Sequence, residues 1–77
     1  MSTQITDTAA NHVLIHTGHG GYPAGSFTTA LLRAWEQADY ANAARLAAGW
    51  PDYAAAFELL AEHGGVDRLK AIARGAA

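Results

Sequence analysis

His12, His16 and His19 form an H-x3-H-x2-H cluster near the N-terminus, and imidazoles at short spacing are what zinc sites are assembled from. On a helix His12 and His16 share a face, because i and i+4 side chains are neighbours. The rest of a metal motif is missing. No glutamate stands between them as in H-E-x-x-H, Asp7 is the only carboxylate near in sequence, and the chain has no cysteine. The cluster is therefore read as loop histidines that hydrogen-bond locally, with His63 serving a helix C-terminus, and no metal is assigned.

The glycine-rich stretch Thr17 to Gly25 invites a phosphate test, since backbone N–H groups ahead of a helix attract anions. Gly20 and Gly25 have P-loop separation, but Ser26 stands where lysine is needed and Phe27 where Ser/Thr is needed. Against G-x-G-x-x-G, Gly18 and Gly20 fit while Pro23 takes the third position. The loop is expected to shape a turn, and no cofactor is assigned. Catalysis needs a nucleophile beside a base, or carboxylates converging in a cleft. Ser26 is better placed as a helix cap, and Asp39, Asp52, Glu58 and Glu62 are spread over helix surfaces. No catalytic residue is assigned, and the chain is expected not to be an enzyme.

The elements that carry these residues follow from apolar spacing. Residues 1–11 are polar and unpatterned and are expected to be mobile, leaving 12–77 as a single small helical domain. The run Val13-Leu14-Ile15 between histidines predicts a strand or extended segment. After the Gly-rich loop, Ser26 is expected to cap a helix whose stripe is Phe27, Ala30, Leu31, Ala34, Trp35 and Ala38. Ala41 to Ala48 predicts a thin, alanine-rich helix, with Asp39 ending the previous helix, capping this one or lying on its solvent side. Gly49 reads as a stop and Pro51 as the first turn of the next helix. Tyr53, Ala56, Phe57, Leu60 and Ala61 give that helix its stripe, and Gly64-Gly65 ends it. Val66, Leu69, Ile72 and Ala73 outline a last short helix. The fold class is mainly α: three to four short helices behind an extended segment and a Gly-rich loop. The expected core is Phe27, Leu31, Trp35, Leu46, Tyr53, Phe57 and Leu60, sealed by Leu69 and Ile72.

Composition narrows the function classes. The charged fraction is 16% against an average of about 25%, and the net charge is −2 with histidine neutral, so nothing favours long-range attraction to nucleic acid or anionic membrane. No apolar run approaches the roughly 18 to 20 residues that span a bilayer, and the first residues lack the basic and apolar regions of a signal peptide. A cytoplasmic location is the plain expectation. As a helix-turn-helix, Pro51 to Glu62 would present Asp52, Glu58 and Glu62 to phosphates and repel them. Arg68, Lys70 and Arg74 form a basic patch in the tail, the basis of an alternative reading as a nucleic-acid-associated regulator. Seven aromatics are many for so small a core, and interfaces favour them. Tyr40 and Trp50, with the acidic pair Glu58 and Glu62, are the candidate partner-binding residues. A core this small also favours self-association, with a homodimer expected through Val13 to Ile15 or around Tyr40 and Trp50.

The stretch 20–57 carries Pro23, Gly25, Ser26, Phe27, Leu31, Ala38, Asp39, Asn42, Leu46 and Pro51. This pattern resembles a group of small proteins encoded by phages and prophages of actinobacteria. The resemblance implies a small accessory protein of a mobile element and brings no activity with it. Together the readings predict a non-enzymatic protein that binds another protein of host or phage, with inhibition of a host defence or host process, or virion assembly, as the outcome.

Overall fold

Thr6 starts the first helix. Its hydroxyl accepts the Ala9 N–H at 3.0 Å, and Asp7 adds a carboxylate to the first turn, where the helix dipole favours it. The computed structural model describes residues 4–75, and in it α1 runs from Asp7 to His16. Four helices follow: α2 Ser26–Glu36, α3 Tyr40–Gly49, α4 Pro51–Leu60 and α5 Gly65–Ala73. No strand occurs among the described residues.

Helix α1 corrects the expected extended segment. Val13 and Ile15 carry local β preference, but a lone strand has no partner for its ladder groups, whereas a helix satisfies them internally. The helical register also gathers Ala9, Ala10, Val13 and Leu14 on one side, and all four are buried. Residues 1–3, part of the segment expected to be mobile, lie outside the described residues, as do 76–77. From Asp7 onward that segment is helix, and Ala9 and Ala10 are fully covered.

The four later helices follow the spacing, with a change of cap on α2 and an earlier end to α4, which stops at Leu60 while Gly64-Gly65, expected to end it, caps and opens α5 instead. Gly25, and not Ser26, occupies the N-cap of α2; Ser26 is its first helical residue and no side chain caps the end. Asp39 caps α3 by accepting the Asn42 N–H at 2.8 Å. Pro51 opens α4 at its first turn, where the missing N–H costs nothing. Gly65 starts α5 so close to α4 that a β-carbon there would overlap the Leu59 carbonyl. Gly21 is similarly constrained: its φ is +77°, and a β-carbon would collide with the Asn11 carbonyl.

Helices α1, α4 and α5 hold the core, with Ala10, Val13, Leu14, Ala56, Leu59 and Leu69 buried together. Leu14, Leu32, Leu69 and Val13 are the largest fully buried side chains, and burial of each such group contributes about 1.5–3 kcal/mol. Ile5, Tyr53, Phe57, Leu60 and Ile72 pack partly buried around the cluster. Helix α2 touches α1 and α3, and α3 returns to α4, so these two helices form an arm laid against the core. The molecule measures 32 × 30 × 19 Å.

The expected core is thus only half right. Leu31 and Leu69 are buried, but Phe27 is 67% exposed, Trp35 and Leu46 are half-buried, and α3 buries no residue at all. The alanines of α3 are too short to anchor a core, and α1 supplies the missing volume. Asn11 fastens that helix further: its Nδ2 donates to the Ala73 carbonyl at 3.0 Å, giving a partner to a carbonyl in the last turn of α5.

Candidate functional site

An open groove of about 700 Å³ lies between the start of α1, the second half of α4, and α5. Ile5, Leu59 and Ile72 give it apolar lining, while Asp7, Glu58, Glu62 and Arg68 contribute charge. Helical geometry explains the arrangement. Ala55, Glu58, Leu59 and Glu62 recur at i, i+3, i+4 and i+7, one face of α4 and the turn that follows it. Asp7 is held by its own helix, accepting the Thr8 N–H at 2.8 Å. Glu62 pairs with Arg68 at 3.4 Å, with both side chains more than half exposed, so the pair is worth at most about 1 kcal/mol. Among the described residues Glu58 has neither an ion-pair nor a hydrogen-bond partner.

The sequence-derived partner residues do not form one site. Tyr40 is 92% exposed at the start of α3. Trp50 lies at the far end of that helix, about 15 Å away along the axis, half-buried beside Phe27 with ring centroids 6.3 Å apart. Glu58 and Glu62 face the groove instead. The homodimer contact expected at Val13 to Ile15 is also corrected in part: Val13 and Leu14 are internal, and only Ile15 reaches the surface.

The basic patch divides as well. Lys70 and Arg74 are i, i+4 neighbours, but Arg68 lies about 160° around the helix from Lys70 and is paired to Glu62.

The histidine cluster separates into three environments. His12 Nδ1 is 2.8 Å from the Tyr53 hydroxyl, and the rings stack. Burial pushes the Tyr53 phenol above its ordinary value, and the adjacent Asp52 carboxylate pushes it the same way. His16 Nε2 lies 3.0 Å from Glu36 Oε1, yet the alignment is not that of a hydrogen bond, so the contact has force only when the imidazole is protonated. His19 is exposed in the loop. Among the described residues no three His, Cys, Asp or Glu side chains are grouped to hold a metal ion. His12 and His16 line a smaller hollow of about 280 Å³ with Ile15, Pro23, Ala24 and Leu32, beneath the Gly-rich loop.

Sequence reasoning missed Ile5, Leu59 and Ile72 as neighbours in a groove, and it missed the His12–Tyr53 pair. The Thr6-Asp7 cap signal was the available clue: it starts a helix early enough to bring Ile5 back to α4 and α5.

The fold defines a small, mainly helical protein with an open, acid-lined groove and an aromatic-bearing arm. No known protein family, curated protein or solved structure matches the chain. No helix among the described residues is long and apolar enough to cross a membrane.

Proposed function

We propose that this chain is a small, non-enzymatic accessory protein of an actinobacterial phage or prophage, acting in the host cytoplasm by binding another protein. The phage context rests on the resemblance carried by the pattern from Pro23 to Pro51. The binding role rests on one observation: the α2–α3 arm leaves Phe27 67% exposed at one end, beside Trp50, and Tyr40 92% exposed at the other. Large aromatics in water are costly to leave uncovered, and they are the side chains that anchor interfaces. The nucleic-acid alternative gains no support, since Arg68 is paired and turned away from Lys70.

The test is affinity capture from host lysate with the wild-type chain and a Phe27→Ser/Tyr40→Ser variant, followed by mass spectrometry and reconstitution with the purified partner. Both residues are exposed, so the variant keeps its helical circular dichroism. A partner captured by the wild type and lost by the variant supports the reading. Equal retention by both removes the arm from the interface.

A further inference from the structure

We infer that the groove between α1, α4 and α5 docks a basic amphipathic segment of a partner protein, with its aliphatic side chains on Ile5 and Ile72 and its cations against Glu58 and Asp7. The inference deepens the protein-binding reading but uses a surface separate from the α2–α3 arm.

Charge complementarity selects the occupant. Glu62 and Arg68 neutralise one another at 3.4 Å, which leaves Glu58 and Asp7 as a net charge of −2 on the lining. Asp7 spends one oxygen on its own helix, while among the described residues Glu58 spends none. Carboxylates in this position repel phosphate, so nucleic acid and anionic lipid are the wrong occupants. A second copy of the chain fits less well, because its own net charge is −2. The groove is open to solvent, which suits a peptide laid into it better than a small molecule that needs enclosure. Ile5 and Ile72 are only partly covered, so a leucine or isoleucine of the partner would complete their burial. The exposed Glu62–Arg68 pair opens at little cost, freeing a third carboxylate for an arriving lysine or arginine.

The probe is a synthetic peptide of about 14 residues, four helical turns, with leucine at i, i+3, i+4 spacing and lysine elsewhere. One control has serine in place of leucine; another has glutamate in place of lysine. Each is titrated into the isotope-labelled full chain and followed by amide chemical shifts. Saturable shifts are expected at Ile5, Ala55, Glu58 and Ile72. Glu58→Gln should weaken binding about threefold or more, whereas Gln37→Lys makes the same change in net charge at the C-cap of α2 and should weaken it less than about 1.5-fold. The serine control should bind at least about tenfold more weakly. The inference is overturned by absence of saturable binding, by shifts centred on Phe27 or Tyr40, or by equal effects of Glu58→Gln and Gln37→Lys. Equal binding of either control peptide overturns it too. The readout does not depend on Phe27 or Tyr40, so loss of the arm as an interface leaves it standing.

Discussion

His12 Nδ1 and the Tyr53 hydroxyl are 2.8 Å apart, and their rings stack with centroids at 6.1 Å and planes 13° apart. The pair is a polar stitch between α1 and α4 at the edge of the apolar seam. When the imidazole carries its proton on Nε2, the phenol donates to Nδ1. Tyr22 adds its ring edge-on to His12 at 5.5 Å, which ties the Gly-rich loop to the same point.

Tyr53→Phe keeps the stack and removes the hydrogen bond, leaving His12 Nδ1 without its partner. The expected cost is about 0.5–1.5 kcal/mol, read as a lower urea midpoint with an unchanged slope. A midpoint equal to wild type would mean that water replaces the phenol.

The same phenol sets an alkaline limit. Its folded value is raised above the ordinary 10.0, first by burial and then by Asp52, so folding favours the protonated form. The contribution is fully present below about pH 10 and is lost as pH rises through the folded value. Thermal melts between pH 8 and 11 should show a decline (roughly, above pH 10) that Tyr53→Phe makes shallower.

Gly65→Ala and Gly49→Ala should act in opposite directions. A β-carbon at 65 meets the Leu59 carbonyl, so α5 must retreat from α4; a loss of about 2 kcal/mol or more is expected. Gly49 ends α3 with open space where its β-carbon would go, and alanine there should add about 0.5–1 kcal/mol. Melting temperatures of the two variants decide the matter.

Leu14→Ala should cost about 2–5 kcal/mol, enough to unfold a marginal domain, because the side chain is 1% exposed in the central cluster. Phe27→Ala should stay within about 0.5 kcal/mol of wild type. If Phe27→Ala proves the more damaging, the arm belongs to the core after all.

Helix α3 should open before the rest. It buries no residue, and the Asp39 cap is its main local support. Amide exchange from Ala43 to Trp50 should be faster than in α1, α4 or α5, and Asp39→Ala should speed it about fivefold, the equivalent of about 1 kcal/mol for a lost cap. Uniform protection across all five helices would contradict this.

Four of the five helices were legible from local signals, because Pro51, Gly49, Asp39 and the 3.6-residue stripes act within one or two turns of chain. The segment from Asp7 to His16 is helix where the run Val13-Leu14-Ile15 predicts a strand, although the Thr6 cap and the Ala9, Ala10, Val13, Leu14 spacing favour the helix. Its β-branched residues favour a strand locally, and local preference is weak against the burial of four residues on one helix face. The candidate surface was legible only as residue types. Tyr40, Glu58 and Glu62 are exposed and Trp50 is half-buried, but chain spacing alone does not reveal that helix ends separate Tyr40 from Trp50, or that Glu58 shares a groove with Ile5, which lies just ahead of α1.

What the amino-acid sequence determined by itself is a mainly helical chain with its turns at the glycines and prolines, since caps, stops and periodicity are short-range and every helix makes its own backbone hydrogen bonds. What only the tertiary structure decided is which helices own the core. That choice depends on volume: α1, α4 and α5 bring Val13, Leu14, Leu59 and Leu69 into one cluster, while the alanines of α3 cannot. The groove and the exposed aromatics are the remainder of that packing, and they exist only once three helices have closed and the arm is laid against them.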